Sequence, residues 1–223
     1  MTKKLFVQAI TKFLLGAALV GLLIFLPAGT VQYPNGWLLM GLLFVPMFCA
    51  GLVMLAKSPA LLQKRLDAKE RQAEQSLIVK LSGVMFVAGF VLAGLDFRLG
   101  WTVVPVWAVR TAAVVFLLAY GLYAEVLREN AYLSRTVEVQ EGQKVIDTGL
   151  YGVVRHPMYS ATILLFLSMP LLLGSWVSFA VFLAYPLLIV KRLRGEEALL
   201  TAGLPGYGDY CKKVRFRLIP FVW

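Results

Sequence analysis

The sequence predicts an all-α integral membrane protein with about six transmembrane helices, of which the last two form a helical hairpin. Two observations support this fold class. Hydrophobic residues make up 60% of the 223-residue chain and charged residues only 15%, a balance that excludes a water-soluble domain. The apolar residues also fall into runs of roughly 20, the length that an α-helix needs to cross the hydrocarbon core of a bilayer.

Four apolar runs in residues 1–126 predict the first four spans. A basic connection at 57–75, expected in the cytoplasm, joins the second span to the third. The connection carries leucines on one helical face, so it predicts a solvated or membrane-surface helix. Arg110 falls within the fourth run, where a charge is costly and suggests a function, unless a shift in register moves it to the interface. The predicted spans are 5–28, about 37–55, about 77–95 and about 101–126.

The last apolar block, residues 160–190, predicts the helical hairpin. Pro170, Gly174, Ser175 and Pro186 interrupt it, and these residue types favour turns and helix ends. The block is also much longer than one crossing requires. Two tilted helices therefore fit it better than a single long one.

The basic residues predict both the orientation and the partners. The net charge is +10, and the lysines and arginines lie mostly near the amino terminus, in 57–80, in 128–155 and after residue 190. Under the positive-inside rule these segments and both termini are cytoplasmic. A basic excess in short loops indicates contact with membrane lipids and no binding of nucleic acid. Cys49 and Cys211 have no metal-ligand spacing, and no metal is expected.

Residues 149–161, Gly-Leu-Tyr-Gly-Val-Val-Arg-His-Pro-Met-Tyr-Ser-Ala, contain the sole histidine and are the first candidate site. Pro157 suits the first turn of a helix, so His156 and Tyr159 are expected at a helix start near the membrane surface. Free N–H groups at such a start can bind an anionic ligand group. Alternatively, Arg155 and Tyr159 are interfacial anchors and His156 caps the helix.

Two further constellations follow the last apolar block. Arg192 and Glu196 are four residues apart, so a continuing helix would place both on one face, where they could bind groups of opposite charge. The alternative is an ordinary basic flank with solvated carboxylates. Aromatic and basic residues then alternate over 206–217, as in a segment that lies on an anionic membrane or closes over a pocket.

In this order, the Arg-His-Pro-Met-Tyr motif at 155–159, Glu-Glu at 196–197, then Tyr207 and Tyr210 before Pro220, resemble the isoprenylcysteine carboxyl methyltransferase family and its phospholipid methyltransferase relatives. The resemblance covers about residue 136 to the carboxyl terminus. It implies that residues 127–223 form a methyltransferase-like region with a cytoplasmic pocket for S-adenosyl-L-methionine.

The resemblance also implies roles for individual residues. Glu196 would hold the ammonium of the cofactor, and Arg192 would touch a lipophilic methyl acceptor, so these two are the predicted catalytic residues. Gln143 departs from the family pattern, because several relatives carry histidine there. The predicted cofactor-binding residues are Gln143, Lys144, Val145, Ile146, Tyr151, His156, Pro157, Met158, Tyr159 and Glu196.

The predicted function is S-adenosylmethionine-dependent methyl transfer to a lipophilic or membrane-embedded acceptor. A carboxylate of the isoprenylcysteine type is favoured if Arg192 pairs with it. A phospholipid, a small thiol, an NADPH-dependent sterol-type reduction and a non-enzymatic transporter or structural role remain alternatives. The loop 143–151 has no arginine for an NADPH phosphate, which gives the reductase little support.

Overall fold

The computed structural model describes residues 2–66, 73–130, 132–133 and 138–223, and over these ranges it is all-helical, without strands. The charged residues 67–72 of the predicted connection, and residues 134–137 where the predicted family resemblance begins, lie outside the described residues. The helices, in order, are α1 (Thr2–Ala28), α2 (Pro34–Lys57), α3 (Pro59–Leu66), α4 (Ala73–Leu99), α5 (Val106–Glu129), α6 (Pro157–Leu172), α7 (Trp176–Phe182), α8 (Ala184–Gly203) and α9 (Tyr207–Lys213).

Within these described ranges, five helical segments are long and apolar enough to cross a membrane. They are Lys3–Ala28, Pro34–Lys57, Gln75–Leu99, Val106–Glu129 and Trp176–Gly203. The apolar helix α6 has 16 residues, hence a length of about 24 Å, less than the ~30 Å of a typical bilayer core. The all-helical membrane architecture agrees with the sequence, whereas the sixth span and the membrane hairpin stay predictions.

The fourth span begins about five residues later than the sequence suggested, because residues 101–105 lead into α5 in a non-helical conformation. Pro105 precedes the first residue of α5, and proline disfavours a helical conformation in the residue before it. Arg110 is therefore exposed and close to the start of α5, the position that the shifted register predicts.

The basic segments lie together at one end of the helical bundle. Lys12 Nζ donates to Leu66 O at 2.6 Å, which joins the start of α1 to the end of α3. Lys64 Nζ donates to Gln140 Oε1 at 2.6 Å, which joins α3 to the segment before α6. This grouping agrees with the predicted common side of these segments, and their assignment to the cytoplasm stays a prediction.

Asp96 organises the opposite end of the bundle, although the sequence suggested only a short turn there. Its side chain is buried and accepts hydrogen bonds from Thr102 N at 2.7 Å and from Ser175 Oγ at 2.5 Å. Ser175 Oγ in turn accepts from Ser178 N at 3.0 Å and caps α7. One carboxylate thus joins α4, the segment before α5 and the turn between α6 and α7.

The aromatic core fixes the position of α6, α7 and α8 against α4. Phe86 packs its ring against Phe166 of α6 at 4.8 Å and against Phe182 of α7 at 5.3 Å between centroids. A Cβ on Gly89 would approach the Phe182 ring to 2.3 Å, so only glycine permits this packing. The start of α6 and the end of α8 are thereby brought side by side.

Candidate active site

The site forms where the start of α6 meets the last turns of α8. As predicted, α6 begins at Pro157, and α8 continues to Gly203, so Arg192 and Glu196 lie one helical turn apart. Tyr159 Oη donates to Glu196 Oε2 at 2.6 Å and connects the two helices. The two constellations that the sequence singled out are therefore in direct contact.

A first cavity of about 80 Å³ lies at this junction. Asn130, Leu133 and the carboxyl-terminal tyrosines Tyr207 and Tyr210 contribute to its wall. Pro157 is the predicted cofactor-binding residue that is not among its lining residues. The other nine line it together: Gln143, Lys144, Val145, Ile146, Tyr151, His156, Met158, Tyr159 and Glu196.

A second, wider cavity of about 430 Å³ adjoins the first and contains Arg192. It shares Met158, Tyr159 and Glu196 with the first cavity. Apolar residues of α4, α6 and α8 form much of its wall, among them Phe86, Phe166, Ile189 and Leu199. Glu196 thus faces both cavities, whereas Arg192 belongs to the second alone.

Gln75 of α4 fixes the position of Arg192. The Gln75 side chain is buried, and its Oε1 accepts from Arg192 Nη1 at 3.3 Å. Its Nε2 donates to the backbone oxygen of Arg192, also at 3.3 Å. A Cβ on Gly195 would lie 2.4 Å from this Nε2, so a larger residue there would displace the Gln75 amide from Arg192.

Glu197 is one of the residues that the sequence interpretation missed, since it treated this carboxylate only as a solvated neighbour of Glu196. Its side chain is 12% exposed and accepts hydrogen bonds from three groups. They are Arg155 Nε at 2.7 Å, His156 Nε2 at 3.2 Å and Arg217 Nε at 2.8 Å. The segments around the site contain more basic than acidic residues. Because a buried arginine needs a carboxylate partner, this excess was the signal that could have revealed the role of Glu197.

The ion pairs change the interpretation of the Arg155-His156 motif. Arg155 and Tyr159 are 8% and 4% exposed, so they are not interfacial anchors. His156 holds the N-cap position, but among the described residues its ring pairs with Glu197 and makes no capping hydrogen bond. The anionic group beside this motif is thus an internal carboxylate.

The segment after α9 is hydrogen-bonded to the residues at the start of α6. Arg155 N donates to Phe216 O and His156 N donates to Arg217 O, both at 2.9 Å. Arg155 Nη1 also donates to Val214 O at 3.0 Å. Residues 214–217 therefore run beside the start of α6, whereas Tyr207 and Tyr210, earlier in the carboxyl-terminal segment, line the first cavity.

The phenols in the first cavity stay protonated at neutral pH. Burial raises the pKa of Tyr151 to about 12, and its hydroxyl accepts from Asn130 Nδ2 at 2.9 Å. Burial also raises the pKa of Tyr207 well above its usual range. Within the described part of the chain, the buried Tyr207 hydroxyl has no hydrogen-bond partner, so it is a donor available to a ligand.

Comparison with known proteins bears directly on this site. Residues 105–202 match the isoprenylcysteine carboxyl methyltransferase family. The matched segment contains the Arg-His-Pro-Met-Tyr motif, Arg192 and both glutamates, and it confirms the resemblance seen in the sequence. The match extends further back into α5 than expected and ends before Tyr207. The match and the apolar helices together are typical of an integral membrane protein similar to this family.

This chain is also similar to a curated protein with a different name. The Delta(14)-sterol reductase TM7SF2 of Mus musculus is 31% identical over 91 residues. The alignment covers 40% of this chain and 22% of the reductase, so this chain spans only about a fifth of that relative. The similarity relates to the reductase alternative raised by the sequence.

Proposed function

We propose that the protein is an S-adenosylmethionine-dependent membrane methyltransferase whose lipophilic acceptor carries a carboxylate. The observation that carries the proposal is the junction of the two cavities at Tyr159 and Glu196, with Arg192 on the side of the second cavity. A carboxylate and a guanidinium one turn apart suit two ligand groups of opposite charge.

The first cavity fits the cofactor in its chemistry. When bound, S-adenosylmethionine supplies a methyl group on a positively charged sulfur and carries an ammonium group. Glu196 provides the negative charge for such a cation, and Tyr207 provides an unpaired hydroxyl for a polar group. The cofactor is larger than the first cavity, so part of it would extend into a third cavity, which shares Gln143 and Lys144 with the first.

The second cavity fits an acceptor with a long apolar part and an anionic head. Phe86, Phe166 and Ile189 supply an apolar wall, and Arg192 supplies a positive charge. The residues act by positioning the acceptor and excluding water, and no side chain has to form a covalent bond. The arginine favours a carboxylate over an amine as the accepting group.

The charges give less support to an NADPH-dependent reductase. A nucleotide phosphate needs cationic partners, and the buried Arg155 and His156 already bind Glu197. The acidic Glu196 in the first cavity suits a cationic ligand instead.

Calorimetry with detergent-solubilised protein tests the proposal. We expect S-adenosylhomocysteine to bind and NADPH not to bind. Tyr207→Phe removes one hydrogen-bond donor and should raise the dissociation constant of S-adenosylhomocysteine about three- to tenfold. Tyr120→Phe is the matched control, because the Tyr120 hydroxyl donates to Leu43 O and does not line the first cavity. Binding of NADPH in place of S-adenosylhomocysteine would establish the reductase alternative.

A further inference from the structure

Residues 218–223 form a closed turn with an exposed apolar tip. Leu218 N donates to Trp223 O at 2.8 Å, and Trp223 N donates to Ile219 O at 3.1 Å. Phe221 is 87% exposed and Val222 is 74% exposed, and Ile219 is exposed beside them. Large apolar side chains held outward by a defined turn mark an interaction surface. We call Ile219, Phe221 and Val222 the apolar tip.

The base of the turn belongs to the membrane-spanning part of the molecule. Leu218 is buried in the main hydrophobic core, and Trp223 packs against that core. Ser160 Oγ, in the first turn of α6, donates to Leu218 O at 2.6 Å. The apolar tip therefore lies beside the start of α6, at the bundle end that carries the basic segments.

Basic residues precede the turn. Lys212, Lys213 and Arg215 are exposed, and the Arg217 guanidinium lies 5.3 Å from the centre of the Trp223 ring. A cluster of cations next to exposed phenylalanine and aliphatic side chains complements an anionic lipid surface, where the cations meet headgroups and the apolar groups enter the acyl boundary.

We propose that the apolar tip inserts into the adjacent lipid leaflet and that Lys212, Lys213 and Arg215 bind its anionic headgroups. The partner is the bilayer that surrounds the spanning helices. The same segment pairs Arg217 with Glu197, and its Phe216 O accepts a hydrogen bond from Arg155 N, so lipid binding would also hold this segment against the start of α6. The insertion itself does not depend on the proposed methyl transfer.

Spin labelling of the full chain in lipid nanodiscs tests the insertion. In a Cys49→Ser, Cys211→Ser background, Val222→Cys carries a nitroxide, and Asp209→Cys is the control on the exposed surface of α9. In nanodiscs that contain phosphatidylglycerol, we expect the label at 222 to be accessible to oxygen and shielded from a water-soluble nickel chelate. The label at 209 should collide freely with the chelate.

A second comparison tests the basic residues. Replacing Lys212, Lys213 and Arg215 by glutamine, or using nanodiscs of phosphatidylcholine alone, should increase chelate access at residue 222. Equal chelate access at 222 and 209 in the anionic nanodiscs would overturn the insertion. If neither the glutamine substitutions nor the change of lipid charge alters chelate access at residue 222, the proposed headgroup contact is wrong. Neither measurement uses the cofactor, so the failure of one proposal is distinguishable from that of the other.

Discussion

Arg192 and Glu196 lie one turn apart on α8, but Glu196 lines both the first and the second cavity whereas Arg192 lines the second, so their substitutions should have different effects. Glu196→Gln keeps the shape and removes the charge that faces the first cavity. We expect the dissociation constant of S-adenosylmethionine to rise by about one to two orders of magnitude, taking a charge-assisted hydrogen bond as ~1.5–3 kcal/mol. Calorimetry measures this change directly.

Arg192→Lys is the companion variant, because it keeps the charge but loses the planar fork. Turnover of a carboxylate acceptor should fall, while affinity for the cofactor stays close to that of the unchanged protein. Steady-state kinetics together with calorimetry separates the two quantities. If both variants weaken cofactor binding equally, or neither does, the assignment of separate roles is wrong.

Glu197 should matter for stability, because its carboxylate holds Arg155, His156 and Arg217 together. Glu197→Gln leaves buried cationic groups without their counter-charge, a loss of about 3 kcal/mol. We expect a clear fall in the thermal unfolding midpoint in detergent. Glu125→Gln is the control, because the ion pair of Glu125 with Arg128 is exposed and should leave the midpoint unchanged.

At the scale of the elements, Asp96 joins three segments at the end of the bundle far from the site. Asp96→Ala would leave Thr102 N and the hydroxyls of Thr102 and Ser175 without their buried acceptor. We expect a loss of about 3 kcal/mol in unfolding free energy. Denaturation in mixed micelles measures it, with Thr111→Ala as an exposed control. An unchanged free energy would show that water replaces the carboxylate.

The sequence predicts elements better than it predicts the contacts between them. Hydrophobic runs identify α1, α2, α4 and α5, and Pro157 identifies the start of α6, because these signals are local. Asp96 and Glu197 were not recognised, because their partners lie many residues away, as Ser175 and Arg217 do. Whether a carboxylate is buried depends on how distant segments pack around it, and the neighbouring residues in the sequence do not indicate this.

The candidate site shows the same division. Nine of the ten predicted cofactor residues line one cavity, since the family motif groups residues that act together. The contributions of Asn130 and Gln75 could not be predicted from the sequence. Asn130 lies at the end of α5 and Gln75 lies in α4, and only folding brings their side chains to the site. Tyr207 was noted only as part of a motif, and its unpaired hydroxyl became evident from packing.

For the whole molecule, cysteine labelling tests which end of the bundle faces the cytoplasm. In a Cys49→Ser, Cys211→Ser background, Val103→Cys should react with an impermeant maleimide from outside the cell, and Glu141→Cys should react only after permeabilisation. Both residues are exposed, and they lie at opposite ends of the bundle. A cysteine at position 175, at the same end of the bundle as Val103, would be a poor labelling site, because the Ser175 side chain is buried against Asp96. The reverse labelling pattern would invert the predicted topology.

The contact of residues 214–217 with the Arg155-His156 motif has a consequence for biosynthesis. The spanning helices can enter the membrane one after another as the ribosome makes them. The Glu197 network, however, lacks one of its cations until Arg217 has been synthesised and has left the ribosomal tunnel. A nascent chain arrested before residue 214 would be inserted in the membrane but would lack Arg217 and the backbone contacts of residues 214–217 with Arg155 and His156. The Glu197 network is thus completed after the spanning helices have been synthesised.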